Sequence, residues 1–397
     1  MIELLAPAGD LARAKVAFDY GADAVFIGGK RFSLRAKASN FDIEQITEAV
    51  NYAHQFNKKL YVTVNMLPHE DDLEGLDDYL LALDKCQVDA IIVASLAIVK
   101  RAMDLKVNYE LHLSTQLSIT NSKAMEFYKS IGVDRVVLAR ELDLEMVEKI
   151  QSKQIIDTEI FIHGGMCTNY SGRCTLSNQM TLRDANRGGC AQSCRWYYNF
   201  KMGDEMISDE EHPFTMGSKD LSTLKWIEDF VRLKVNSLKI EGRMKSSHYL
   251  AVVVGSYRKL IDAIETNKVT ESLMIQLQKD MEKAEGRLTF DGFYSHLPNA
   301  NDHLYLSAKT AVLQRFVGDI LDQKDDWVCV QIKNGVIKGE LLEVLEPYKD
   351  VQSFILDGLE NEERMPIEEA KSPMSIVWIK VPFKVSDKAF IRKDQVL

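Results

Sequence analysis

Residues 21–27 read GADAVFI: a glycine that ends a helix, an aspartate, then apolar residues of strand length. The same phrase returns as Val88-Asp89 before AIIV (90–93) and as Gly132-Val-Asp134 before RVVL (135–138). Working outward, short apolar runs recur at 3–6, 24–27, 60–64, 90–93, 110–113, 135–138, 159–162 and 237–240. Amphipathic stretches such as 43–56 and 71–85 lie between them. Eight strands alternating with helices over about 240 residues predict an α/β fold, a (β/α)8 TIM-like barrel. An open doubly wound sheet is the alternative, but no Gly-rich dinucleotide fingerprint follows any strand.

The gap between the seventh and eighth runs is about 75 residues, far longer than the others. Loops after strand C-termini build the active face of such a barrel, so this insertion lies where chemistry is expected. The expected organisation is a barrel over 1–250 carrying an insertion at 164–235, then a helical extension and connection over 251–305. A small C-terminal all-β barrel follows over 306–397. Its expected strands are 311–317, 327–332, 341–344, 375–379 and 389–391, separated by turn residues such as Lys333-Asn-Gly335.

Lys plus Arg is 49 and Asp plus Glu is 59, a net charge of −10, which excludes a bulk basic nucleic-acid binder but leaves room for a local basic patch. The start, MIELLAPAGD, meets an aspartate too early for a signal peptide, and the longest apolar run (90–99) is too short to span a membrane. The expectation is a cytoplasmic protein without membrane contact, whose thiols stay reduced.

Six cysteines are present, and Cys86 and Cys329 read as small core residues. Cys167, Cys174, Cys190 and Cys194 fall within one short stretch, inside the insertion. Four thiolates on flexible loops hold zinc or an iron–sulfur cluster. Tight Cys-x2-Cys knuckles, the zinc habit, are missing, and looser spacing suits a larger cluster; spacing alone leaves both open. The same stretch carries Arg173, Arg183, Arg187, Arg195 and Lys201 against Asp184, with Tyr170, Trp196, Tyr197, Tyr198 and Phe200 interleaved. Arginines and aromatics together grip phosphates and stack on bases. The plainer reading pairs the arginines with carboxylates elsewhere and packs the aromatics in the core.

Polar residues at expected strand ends form a candidate pocket: Asn65, His112, Gln116, Arg140, Glu141, His163, Glu241 and Arg243. His112 and His163 are candidate acid–base groups, or structural hydrogen-bonding residues. Glu241 and Arg243 form an ion pair or bind an anionic small molecule. Asp220 reads as a helix N-cap, leaving Lys219 to meet an anion. Arg31, Arg35 and Lys37 add charge to the same mouth or form a solvated face. No Gly-x-Ser-x-Gly, His-Glu-x-x-His or Walker loop occurs.

The segment Glu159-Ile-Phe-Ile-His-Gly-Gly-Met-Cys167, continuing through Gly172-Arg-Cys174-Thr-Leu-Ser177, resembles the signature of the U32 peptidase family. Cys194-Arg-Trp196, Ser218-Lys-Asp-Leu221, Leu238-Lys-Ile-Glu-Gly-Arg243, Leu5-Ala-Pro-Ala-Gly9 and His112-Leu-Ser-Thr-Gln116 extend the resemblance along the chain. Some members carry the name of proteases or collagenases. Others are similar to oxygen-independent hydroxylation proteins with a 4Fe–4S cluster. One branch converts tRNA wobble uridine to 5-hydroxyuridine with prephenate, and this chain looks most like that branch. The resemblance implies Cys167, Cys174, Cys190 and Cys194 as cluster ligands. His163, His112 and Glu241, at the strand ends, stand as the catalytic candidates. Gln116, Arg140, Lys219, Asp220 and Arg243 then face a small anionic co-substrate. Arg173, Arg183, Arg187, Arg195 and Trp196 face tRNA. Some members work as pairs, so a paralogous partner chain or a homo-oligomer is allowed.

Overall fold

The computed structural model describes residues 2–34, 40–284, 286–305 and 316–393. Arg35, Lys37 and the expected strand residues 311–315 lie outside them. Eight parallel strands form the barrel: β1 Glu3–Pro7, β2 Ala24–Gly28, β3 Lys59–Val64, β4 Ala90–Val93, β5 Glu110–Leu113, β6 Arg135–Val137, β7 Asp157–Gly164 and β8 Ser237–Ile240. Each pairs in parallel with the next, and β8 pairs with both β7 and β1, which closes the ring. Helices α1 Leu11–Asp19, α2 Ile43–Gln55, α3 Leu76–Lys85, α4 Leu96–Leu105, α5 Ser122–Ser130 and α6 Leu144–Gln151 alternate with the strands. Asp10, Asp42, Asn121 and Asp143 cap α1, α2, α5 and α6 by accepting backbone N–H bonds.

The aspartates that precede strands have a specific task. Asp23, before β2, accepts from Leu4 N of β1 at 3.0 Å. Asp89, before β4, accepts from Leu60 N of β3 at 2.7 Å, and Asp134, before β6, from Leu111 N of β5 at 2.8 Å. Asn236 does the same for Thr158 N of β7 at 3.0 Å. Each even strand therefore begins with a side chain that satisfies the first donors of its odd neighbour.

Inside the ring, Arg135 binds Glu3 at 2.6 Å and Lys239 binds Glu159 at 2.6 Å, with Arg135 and Glu159 3.8 Å apart. The Tyr61 hydroxyl donates to Glu3 at 2.6 Å. Charges alternate through this buried plug and balance, as burial requires. Around it lie Leu5, Ala24, Phe26, Ala90 and Ile92.

Beyond the barrel strands, α7 Leu176–Thr181 and α8 Ile227–Arg232 lie within the insertion, and α9 Ser247–Glu265 and α10 Glu271–Glu282 form the helical extension, breaking near Asn267 as expected. The C-terminal part is a curled antiparallel sheet: β9 Phe316–Lys324, β10 Trp327–Ile332, β11 Leu341–Leu345, β12 Gln352–Ile355, β13 Leu359–Asn361, β14 Ile376–Lys380 and β15 Phe390–Lys393. It docks on the barrel through apolar and polar contacts: Leu345 and Phe390 join the barrel's core, and the Tyr20 hydroxyl donates to the Leu345 carbonyl at 2.9 Å. Arg392, wholly buried, is ion-paired with Asp280 and, at 2.6 Å, with Glu343. Lys283 meets the same Glu343 at 2.6 Å. His248 of α9 stacks on Phe316 at 5.0 Å between ring centres. No helix among the described residues is long and apolar enough to cross a membrane.

Candidate active site at the barrel mouth

Strand C-termini carry the pocket residues. Arg243, after β8, is 4% exposed and lies across the top of β2 and β3. Its guanidinium donates to Ser33 Oγ at 3.2 and 3.3 Å and to Thr63 Oγ1 at 3.4 Å. Gly28 makes room: a Cβ there would stand 1.7 Å from Arg243 Nη1. Gln116 and Asn65 exchange two bonds, Asn65 Nδ2 to Gln116 Oε1 at 2.9 Å and Gln116 Nε2 to the Asn65 carbonyl at 3.2 Å. Arg140 lies 4.1 Å from the Phe161 ring centre and donates to the Gly165 carbonyl at 2.7 Å. The Glu241 amide donates to the His163 carbonyl at 2.8 Å, and its carbonyl accepts from the Tyr249 hydroxyl at 3.2 Å.

The two histidines do not meet at this mouth. His112 points into the barrel, fully buried, edge-on to Tyr61 at 4.9 Å and 2.8 Å from Glu110. Strand alternation sends it inward toward the plug, below the expected pocket. His163 is packed between β7 and α9, with Nδ1 3.3 Å from the Tyr257 hydroxyl. Burial first, then the charge of Lys245, pushes its imidazole down to about 3, so it is neutral near pH 7.

The insertion lies directly over the mouth. Gly172 has φ +75°, and a Cβ on it would stand 1.9 Å from the Gln116 carbonyl oxygen. Ser171 N donates to Glu141 at 2.8 Å. Cys167 and Cys190 are exposed, Cys174 and Cys194 half-buried, and all four are free thiols. Burial raises the Cys194 thiol; Arg195 opposes this, and Cys167 and Cys190 add to it. Those three sulfurs therefore share one electrostatic neighbourhood. The Asn169 amide donates to Cys174 Sγ at 2.9 Å. Among the described residues no three His, Cys, Asp or Glu side chains converge on a single-ion position. The donor set is all thiol, which suits soft metal chemistry.

The arginines divide. Arg187 grips Asp72 with two bonds, at 2.8 and 2.9 Å, and holds that carboxyl below its usual range. Arg195 donates to the Met166 carbonyl at 3.0 Å and contacts Asp220 at 3.4 Å. For these two the plainer reading holds: each guanidinium is committed to carboxylate or carbonyl oxygen within the protein. Arg173 is exposed and Arg183 half-exposed. Trp196 is 44% and Tyr197 61% exposed. Asp220 is not a helix cap; it starts a short strand, Asp220–Ser222, antiparallel to the end of β7. Its carboxylate meets Arg195, Arg287 at 3.3 Å and Lys245 at 3.9 Å. Lys219 is half-buried, and its amide donates to the Asp302 carbonyl.

Sequence reading missed Ser33 and Thr63, the hydroxyls under Arg243. It also missed a stack of four rings, Phe200, Phe214, Tyr305 and His303, with centres 4.8, 5.6 and 4.7 Å apart.

A closed (β/α)8 barrel with four free cysteines on its C-terminal face defines the class: a barrel protein with thiol-bearing loops over the active end. The chain belongs to peptidase family U32. Residues 9–304 match that family, and residues 313–392 match the peptidase family U32 C-terminal domain. It is 41% identical over 400 residues to the tRNA hydroxylation protein P1 of Bacillus subtilis (strain 168), covering 98% of this chain and 94% of that protein. It is 32% identical over 430 residues to the tRNA hydroxylation protein P of Escherichia coli (strain K12), covering 96% and 94%. The 23S rRNA 5-hydroxycytidine C2501 synthase of Escherichia coli (strain K12) is 39% identical over 264 residues, covering 66% of this chain and 40% of that protein.

Proposed function

We propose that this chain is a cytoplasmic iron–sulfur enzyme of tRNA modification, forming 5-hydroxyuridine at the wobble position with prephenate as co-substrate. The observation that carries the reading is the four free thiols on the loops above the barrel mouth. The names of its relatives, two tRNA hydroxylation proteins and an rRNA hydroxycytidine synthase, support hydroxylation of RNA. Cys167, Cys174, Cys190 and Cys194 would hold a 4Fe–4S cluster, which supplies redox or group-transfer chemistry beside a flipped-out base. Arg173 and Arg183 engage phosphates, and Trp196 offers a stacking face. Arg243 and Arg140, with Lys219 at the rim, receive the carboxylates of the co-substrate by charge-assisted bonds. Glu241 lines the same rim. Arg187 and Arg195 act indirectly, by holding the insertion in place.

The test is iron and acid-labile sulfide content of protein purified without oxygen, joined to nucleoside analysis of tRNA from cells lacking the gene. About four irons per chain, lost in Cys174→Ala together with the hydroxylated nucleoside, is the expected result. A metal-free chain that cleaves peptides overturns it and restores the activity in the family's name.

A further inference from the structure

Two of the cysteine-bearing segments are distant in sequence yet fastened to one strip of backbone. The carbonyl of Met166, the residue before Cys167, accepts from Arg195 Nη2 at 3.0 Å and from Ser218 Oγ at 3.3 Å. Arg195 is the residue after Cys194. The carbonyl of Cys194 itself accepts from Thr215 Oγ1 at 3.0 Å. Thr168, the residue after Cys167, donates to the Met216 carbonyl at 2.6 Å. Thr215 to Asp220 thus stitches both segments at three points, and Arg195 joins them directly. Asp220 anchors the assembly: it is 6% exposed, and its carboxylate gathers Arg195, Arg287 and Lys245. Gly165 lets the guanidinium pass, since a Cβ there would stand 3.0 Å from Arg195 Nη2.

We infer that Arg195, Asp220, Thr215 and Ser218 are positioning residues that set the separation of the Cys167 and Cys194 thiols. The inference rests on the cluster reading, because that separation matters to a group held at both corners. A half-buried guanidinium bonded to the peptide before one cysteine and tethered next to the other is a rigid spacer. Supporting groups of this kind decide whether first-contact ligands are held at working distance.

The experiment is made without metal. Cys86→Ser, Cys174→Ser, Cys190→Ser and Cys329→Ser leave Cys167 and Cys194 as the reactive pair. The rate at which a short bis-maleimide joins them reads their separation. Arg195→Ala and Asp220→Asn are expected to slow cross-linking about tenfold while the circular-dichroism melting curve keeps its shape. The same changes in the full-cysteine chain are expected to lower iron bound on anaerobic reconstitution. Should Arg195→Ala fail to fold, Thr215→Val carries the test with a smaller effect. Unchanged cross-linking in the folded variants overturns the inference, whatever the iron content. Slowed cross-linking in a chain whose parent binds no iron keeps the spacer and removes the cluster.

Discussion

Gly172 holds the loop between Cys167 and Cys174 down on the barrel mouth. Its φ of +75° and the 1.9 Å approach to a backbone carbonyl leave no room for a side chain. Gly172→Ala is expected to cost about 1–3 kcal/mol, from left-handed backbone strain plus displacement of the loop. Urea unfolding measures the loss, and iron content should fall with it. At this scale the placement of four cysteines over the barrel mouth was legible because they cluster in sequence inside the insertion. The roles of Arg187 and Arg195 were not. Asp72 lies 115 residues from Arg187, and nothing local announces such a partner. The inward aim of His112 was not legible because barrel strands are apolar on both faces, so the sequence pattern does not say which residues point inward.

Strand-opening aspartates explain why the barrel could be read at all. The Gly-x-Asp and Val-Asp phrases mark strands because Asp23, Asp89 and Asp134 close the N-terminal rim of the neighbouring strand. Asp89→Ala leaves Leu60 N without its side-chain acceptor and is expected to cost about 1–3 kcal/mol in denaturant unfolding, with the mouth and its thiols untouched. In the C-terminal sheet, β12 escaped notice because QSFI carries too few apolar residues to alternate visibly. The β13 turn hides a second device. Arg364, at φ +66°, lies 5.0 Å from Trp327 and 4.4 Å from Trp378, a cation between two indoles. Arg364→Ala is expected to cost about 1–2 kcal/mol, read in the thermal melt.

Across the whole molecule, His163 and His248 are both buried and pushed down to about 3, His248 by burial and then by Arg392. Both are neutral when folded and take up protons near 6.5 when unfolded. Their contribution is complete above that value and is lost as pH falls toward 3, at about 1.4 kcal/mol per pH unit each. Unfolding free energy between pH 6.5 and 4 should therefore slope downward, and His248→Gln should flatten the slope. The join between barrel and sheet depends on Arg392. Arg392→Met leaves Asp280 a buried carboxylate without its cation and Glu343 with Lys283 alone, an expected loss of about 3–5 kcal/mol. Calorimetry would show it as a lowered or divided transition.

The strip from Thr215 to Asp220 ties the Cys167 and Cys194 segments together by side-chain bonds to backbone carbonyls. The four sulfurs above it are left unequal: Cys167 and Cys190 are exposed, Cys174 and Cys194 half-buried. An alkylating reagent or oxidant in solution should therefore reach the first pair before the second, and the order of labelling maps the surface of the insertion.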